Sequence, residues 1–134
     1  MLKSVHHINF LVADLESAIE RYQDFFAIES LQIESLPQRG VKTARFDLNG
    51  VWIVLVQPLD DDSEPMRQLR QNGEGLYLVS FAVDDLDAAT EDLTAKGAID
   101  ASSTSREGLQ GWQVIDLEPD AVFGALLQLT QDRQ

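Results

Sequence analysis

The sequence predicts an α+β fold of two paired β-α-β-β-β modules that form a cup-shaped mixed sheet around a cleft. The first observation is an internal repeat: INFLVADLESA at 8–18 returns as VSFAVDDLDAA at 79–89, a shift of 71 residues. In both copies a strand-like pattern changes to a helical one. The second observation is length, because 134 residues suit one compact domain. Neither module can bury its sheet face alone, so pairing is expected.

The first module opens with a predicted strand at 5–12, which is rich in β-forming residues and has no breaker. Asp14 is a suitable N-cap for the helix that follows. Apolar residues recur there at helical spacing, which indicates one buried face: Leu15, Ala18, Ile19, Tyr22 and Phe26. A weaker strand is predicted at 31–36.

The rest of the first module is a predicted hairpin. Strands at 41–48 and 51–57 flank Asn49-Gly50, which is a strong signal for a two-residue turn. This module covers 1–58. An acidic segment bounded by prolines and glycines follows, and we expect it to be a linker covering 59–74.

The second module is predicted at 75–131 and repeats this plan, so that 1–134 is one domain. After the strand of the repeat, Asp85 caps a helix that Gly97 ends. The remaining strands are predicted, in order, at 98–101, 113–117 and 125–130. A polar loop at 102–111 separates the first two, and the polar tail at 131–134 is expected to fray.

Composition excludes several function classes. The formal charge is −13, from 23 acidic and 10 basic side chains, so general nucleic-acid binding is not expected. Cysteine is absent, which excludes disulfides, thiolate metal sites and a cysteine nucleophile. There is no apolar run long enough for a bilayer and no secretory signal, so we expect a cytoplasmic protein without a membrane partner.

Several short motifs occur along the chain in an order that is typical of one protein superfamily. The chain reads VHHI at 5–8, GEGL at 73–76 and VDDL at 83–86, and it closes with LEP at 117–119 and GALLQL at 124–129. In this it resembles the vicinal oxygen chelate superfamily of glyoxalases, bleomycin-resistance proteins and extradiol dioxygenases. It is most similar to the methylmalonyl-CoA epimerase type. From pattern alone a ferredoxin-like sandwich is an alternative, whereas the resemblance implies the cup-shaped sheet and a homodimer.

The resemblance also implies four positions that hold one divalent metal in such enzymes. Here they are His7, Val54, Leu78 and Gln128. Two are aliphatic and one is a neutral amide, so only His7 is a strong ligand, and zinc normally needs three protein ligands. We therefore expect neither a metal nor another cofactor. A divalent metal would bind only if this mapping is wrong.

The same positions predict a pocket for a small organic ligand. Val54 and Leu78 would form an apolar floor, with His7 and Gln128 as polar anchors. The alternative is that the cleft has filled in as core. Tryptophans could stack on the ligand, and Gln110 stands where the family loop carries a histidine. The predicted ligand-binding residues are His7, Trp52, Val54, Leu78, Gln110, Trp112 and Gln128.

Three function hypotheses stay open. The first is a metal-independent small-molecule binding protein. The second is an epimerase, isomerase or lyase for a small acyl compound, resembling methylmalonyl-CoA epimerase or lactoylglutathione lyase. That enzyme would use either metal-free acid-base catalysis by His7 with a nearby glutamate, or a displaced metal site formed from His6, His7, Gln110 or Gln128. The third is an accessory module that binds a partner peptide.

The densest basic cluster of the chain is Arg39, Lys42 and Arg45. It could receive a carboxylate or a phosphate. We expect it instead to be an exposed rim that pairs with nearby acidic residues.

Overall fold

The computed structural model describes residues 1–132 and confirms the α+β class. Its helices are α1 Leu15–Phe26, α2 Glu64–Asn72 and α3 Leu86–Ala95. Its strands are β1 Ser4–Leu11, β2 Gln32–Leu36, β3 Val41–Leu48, β4 Val51–Pro58, β5 Gly75–Ala82, β6 Arg106–Glu107, β7 Gln113–Asp116 and β8 Leu127–Gln131. Among these residues no helix has the length and apolar character needed to cross a membrane. Apart from α2, the elements follow the order β-α-β-β-β twice along the chain, so both predicted modules are present.

The chain divides into two compact units. The middle unit contains residues 8–77, and the terminal unit contains residues 1–7 with the chain from Leu78 onward, so that β1 contributes to both. The strand order is β2-β3-β4-β1 in the middle unit and β1-β5-β8-β7-β6 in the terminal unit. Within the terminal unit β5 and β8 are parallel, while β7 pairs antiparallel with β8 and with β6. The sheet is therefore mixed.

The repeat is visible in the hydrogen bonds that start the two large helices. Asp14 caps α1 by accepting from the Ser17 amide, and Asp85 caps α3 by accepting from the Ala88 amide. Each cap satisfies one of the amides that a helix N-terminus leaves without an internal partner. Both predicted N-caps are confirmed.

A second bond fastens each helix to the last strand of its own module. The Gln57 side chain at the end of β4 accepts from the Leu15 amide at 2.8 Å. The Gln131 side chain at the end of β8 accepts from the Leu86 amide, also at 2.8 Å. The same bond made twice indicates that the modules share one way of placing helix on sheet.

Each helix packs its apolar face on one side of the strands. In the middle unit Val12, Leu15, Ala44 and Leu55 form a buried core. A matching core in the terminal unit joins α3 to β7 and β8: Val83, Leu86, Ala89, Ile99, Ile115 and Leu129. Leu15, Leu86 and Ala89 are buried as the helical spacing predicts. The prediction is wrong for Phe26 at the end of α1, which is 63% exposed.

Strand alternation sends the neighbouring side chains to the other face. Because Leu55 packs under α1, Val54 points away from that helix. Because Leu129 packs under α3, Gln128 and Thr130 point away from it. On that face the Thr130 hydroxyl makes a short hydrogen bond to the buried Ser80 hydroxyl. This second face carries the candidate site residues.

The predicted hairpin of the middle unit is confirmed. Strands β3 and β4 pair antiparallel over their full length. Asn49 and Gly50 both have positive φ, 53° and 95°, as a turn of the type favoured by Asn-Gly requires. The Asp47 carboxylate accepts from the Gly50 amide and closes the turn.

The predicted strand at 98–101 is wrong. Asp100 accepts from the Ser102 amide and hydroxyl, which forms a local turn. The Ala98 amide is used by α3, where it donates to the Leu93 carbonyl. Ile99 is nevertheless buried in the core, so an apolar residue in this segment marks packing rather than a strand. The missing strand is β6, inside the segment predicted as a polar loop.

The chain end differs from the expectation in part. Gln131 belongs to β8 and makes the helix-fastening bond to Leu86, so it is not frayed. Of the tail predicted at 131–134, residues 133–134 lie outside the described residues.

We predict that Gln131→Leu and Gln57→Leu each lower the free energy of unfolding by about 1–2 kcal/mol, because each leaves a partly buried helix amide without its acceptor. Urea unfolding followed by circular dichroism measures the loss. Gln38→Leu, at an exposed position, is the matched control. Unfolding midpoints equal to that control would show that these glutamines do not fasten the helices.

Candidate functional site

Three of the predicted site residues meet in the terminal unit. His7 lies on β1, Gln128 on β8, and Trp112 just before β7; they are 3%, 4% and 2% exposed. The Trp112 ring stacks on the His7 imidazole with centroids 4.9 Å apart and an interplanar angle of 22°. Burial and stacking fix the His7 ring, so its polar atoms have a defined direction.

His6 joins the same cluster, although strand alternation predicts that it faces the helix side. Its ring meets Trp112 edge-on at 4.6 Å, and its Nδ1 lies 2.8 Å from His7 Nδ1. The indole thus contacts both imidazoles of neighbouring residues. Sequence reasoning considers His6 only for a displaced metal site and misses its packing against His7 and Trp112; the only signal is that two histidines are adjacent.

The proton positions of the histidine pair follow from its outer partner. His6 Nε2 lies 3.0 Å from the Asp132 carboxylate, which only accepts, so this nitrogen carries the hydrogen. When both rings are neutral, His6 Nδ1 is then an acceptor, and His7 Nδ1–H donates to it. His7 Nε2 is left with a lone pair. In that neutral state His7 is a hydrogen-bond acceptor at Nε2.

The environment keeps His7 neutral. Burial and the neighbouring His6 lower the pKa of His7 from 6.5 to about 3, while an interaction with Gln128 raises it in part. Desolvation is the largest cause, because a buried imidazolium loses its hydration. At neutral pH His7 can therefore accept a hydrogen bond but is a weak proton acceptor for catalysis.

The Gln128 side chain is hydrogen-bonded to the ion pair of Asp116 and Arg106. Its amide nitrogen donates to Asp116 Oδ1 at 3.1 Å, and Arg106 donates to both oxygens of that carboxylate at 2.8 and 3.4 Å. Its Oε1 is buried and, within residues 1–132, makes no hydrogen bond of ordinary geometry, although the interaction of Gln128 with His7 raises the pKa of that histidine in part. The amide is therefore oriented by Asp116, and its oxygen can still accept from a ligand.

The other predicted site residues are distributed between the two units. In the terminal unit Leu78 is buried on β5, while Gln110 is exposed in a left-handed turn with φ 48°. In the middle unit Val54 is buried on β4, and Trp52 lies two residues before it on the same strand.

The donor set does not fit the divalent metal that the resemblance implies. Val54 and Leu78 have no donor atoms, and the Gln128 amide nitrogen is bound to Asp116. The Nδ1 atom of His7 faces His6. Among the described residues no group of three or more histidine, aspartate or glutamate side chains is placed to hold a metal ion. A single His nitrogen does not make a zinc site.

A second arrangement of polar and aromatic groups lies in the middle unit. Arg45 is 2% exposed, and its guanidinium donates to Glu34 at 2.8 Å and to Gln32 at 3.1 Å. It also stacks over Trp52, with Cζ 5.2 Å from the ring centroid. The expectation of an exposed basic rim is therefore wrong for Arg45. Charge counts identify basic residues but not which one is buried.

Next to this arginine is a cavity of about 660 Å³. It lies at the hairpin end of β3 and β4, beside the C-terminal end of α1. Its lining residues are Tyr22, Phe26, Ile28, Glu29, Ser30, Gln32, Arg45, Phe46, Asp47, Leu48 and Trp52. The cavity has the size of a small-molecule pocket and a largely apolar wall.

Known proteins resemble the chain in sequence and in fold. The sequence model of the glyoxalase/bleomycin resistance protein/dioxygenase superfamily matches residues 6–115. Mitochondrial methylmalonyl-CoA epimerase from Homo sapiens is 30% identical over 131 residues, which are 97% of this chain and 74% of that protein.

Solved structures are similar over the whole chain. A variant of Streptomyces coelicolor methylmalonyl-CoA epimerase in complex with 2-nitronate-propionyl-CoA matches with a TM-score of 0.93, 27% identity and full coverage of both chains. Methylmalonyl-CoA epimerase from Mycobacterium tuberculosis matches with a TM-score of 0.90 and 27% identity, over 99% of this chain and 90% of that one.

The buried, neutral His7 predicts a specific pH dependence of stability. Because its pKa is about 3 in the folded chain and about 6.5 when unfolded, its contribution is complete above pH 6.5 and is lost as the pH falls toward 3. We expect His7→Asn, which keeps an N–H toward His6 but does not titrate, to remove about 1.5 kcal/mol of the loss between pH 6.5 and 5.

Urea unfolding of both proteins at pH 7, 6.5 and 5 measures this difference. Parallel plots of unfolding free energy against pH for wild type and variant would contradict the buried neutral state of His7.

Proposed function

We propose, since the chain belongs to the glyoxalase/bleomycin resistance protein/dioxygenase superfamily, that it binds a small organic molecule without the divalent metal typical of the family it resembles. The proposal concerns a binding protein rather than a metal-dependent enzyme. It assigns ligand contacts to His7, Trp52, Val54, Leu78, Gln110, Trp112 and Gln128.

The main support for this proposal is the hydrogen bonding of the Gln128 side chain. Gln128 and Val54 each lie three residues before the glutamine that fastens the helix of their own module, and neither side chain supplies a carboxylate. The Asp116–Arg106 ion pair orients the Gln128 amide and leaves its buried oxygen as an acceptor. A divalent cation needs several oxygen or nitrogen donors around one point, whereas a site for an organic ligand needs a few oriented polar atoms in apolar surroundings.

His7 supports the same function. Its ring is fixed by Trp112 and by the bond to His6, and its low pKa keeps it neutral. A neutral, oriented acceptor can recognise a hydroxyl or N–H group of a ligand at little cost in side-chain entropy. Together with Gln128 it would select a ligand that donates hydrogen bonds.

A second candidate is an isomerase acting on a small acyl thioester. It is favoured by the similarity of the whole chain to methylmalonyl-CoA epimerases, one of them in complex with 2-nitronate-propionyl-CoA. Such a reaction needs a base whose pKa lies near the working pH. The lowered pKa of His7 makes it a poor base, so we place this function second.

We expect the protein to bind metal once donor side chains are introduced at positions 78 and 128. In the L78H/Q128E double variant His7 would be joined by a second imidazole and a carboxylate on β5 and β8, which is the minimum protein set for zinc. We expect the double variant to retain about one equivalent of cobalt or zinc after dialysis, measured by plasma mass spectrometry, and the wild type to retain none.

The matched control is L78F/Q128L, which changes the same positions without adding donors. Near-stoichiometric metal in the wild type would contradict the proposal, because the native residues would then form a site.

Proton exchange separates the two candidate functions. We expect no incorporation of deuterium at the α-carbon of methylmalonyl-CoA in heavy water above the rate without protein, because His7 is a weak base. Mass spectrometry of the thioester provides the measurement. Exchange that depends on the protein and disappears in His7→Ala would instead establish the isomerase.

A further inference from the structure

We infer that the cavity of the middle unit binds a neutral, planar, apolar molecule and discriminates against anions. The inference goes beyond the proposed function, because the cavity lining contains neither His7 nor Gln128. Of the ligand-binding residues predicted from the sequence, it includes only Trp52.

Aromatic side chains form much of the wall. Tyr22 and Phe26, one turn apart on α1, meet edge-to-face with centroids 5.5 Å apart. Phe46 on β3 and Trp52 on β4 complete the aromatic set. Rings arranged in this way favour a flat, apolar guest, which can stack on one ring and meet the edge of another. A volume of about 660 Å³ accommodates a molecule of two or three fused or linked rings.

The cavity also presents apolar surface to solvent. Phe26 is 63% exposed and Leu48 is 59% exposed, and both line it. Covering such surface is favourable because it removes apolar area from water. Two large exposed side chains converging on one concave site are more informative than isolated ones on a convex surface.

The charge of the wall opposes anions. Arg45 is the only cationic residue among those lining the cavity, and its guanidinium is already bound by Glu34, Gln32 and Trp52. Glu29 and Asp47 add two carboxylates to the lining. A carboxylate or phosphate would have to compete with Glu34 for the buried Arg45 guanidinium, in an ion pair whose Glu34 side chain is 33% exposed.

Arg45 therefore acts in this site as a structural element. Its contact positions the Trp52 ring, and its pairing with Glu34 neutralises it. A neutral molecule could contact the indole and the apolar wall without disturbing that pair. This is the physical basis for discrimination between neutral and anionic ligands.

Two fluorescent probes with the same ring system test the inference. N-phenylnaphthylamine is neutral, and anilinonaphthalenesulfonate adds one sulfonate. We expect the wild type to bind the neutral probe at least about tenfold more tightly, a difference of about 1.4 kcal/mol. Energy transfer from tryptophan to the bound neutral probe should fall strongly in Trp52→Phe, which locates the probe beside that residue.

Variants of exposed residues supply matched controls. Phe26→Ala should weaken binding of the neutral probe about fivefold or more. Phe25→Ala is the control, because Phe25 is similarly exposed at 68% and lies outside the lining, although its ring meets the Phe26 ring edge-on; its effect should be clearly smaller. Leu48→Lys places a cation at the rim and should raise the affinity for the sulfonate probe. Glu34→Gln should do the same by releasing Arg45; if that variant does not fold, the Leu48→Lys result decides the charge argument.

Several results would overturn the inference. They are equal or tighter binding of the sulfonate probe by the wild type, equal effects of the Phe25 and Phe26 variants, or an unchanged sulfonate affinity in Leu48→Lys. Sedimentation velocity tests a different occupant, a second copy of the chain. A dimer that Phe26→Ala dissociates and that excludes the neutral probe would assign this face to self-association. These tests are independent of the metal content and of His7, so failure here leaves the proposed function to its own experiments.

Discussion

The glutamine that ends each module is the constraint on which the site depends. Gln57 and Gln131 each accept from the first amide of their own module's helix, and this bond fixes where the last strand lies under that helix. Three residues earlier on the same strands are Val54 and Gln128. An odd spacing along a strand reverses the face, so the bond that fastens the helix also directs these two side chains to the side away from it.

The two modules carry different side chains at equivalent positions. His7 and Leu78 correspond through the shift of 71 residues in the first strands, and Val54 and Gln128 correspond through a shift of 74 in the last ones. A metal site built on such a scaffold needs donors at most of these positions. Here two positions are aliphatic, one is an amide oriented by Asp116, and one is an imidazole bound to its own neighbour. The same backbone plan thus carries different side chains at equivalent positions, which is why fold and function must be argued separately.

Much of the fold could be predicted from the sequence, because the patterns that indicate it are local in the chain. The repeat, the Asp14 and Asp85 caps and the Asn49-Gly50 turn each depend on residues close in the chain, and all are confirmed. The misses required tertiary information. Asp100 and Ser102 form a turn where the pattern predicted a strand. His6 reaches Trp112 across the fold, and Arg45 is buried by Glu34, eleven residues away, so neither periodicity nor charge could place them.

The most direct test of the proposed metal-independent function is a cobalt titration observed on the side-chain nitrogens of histidines labelled with nitrogen-15. The chain has only two histidines, so the spectrum reports His6 and His7 alone. The account predicts a His7 ring protonated at Nδ1, with a bare Nε2, and resonances that do not move when one equivalent of paramagnetic cobalt is added. Large shifts or loss of the His7 signals at one equivalent would show that this imidazole binds metal and would contradict the account.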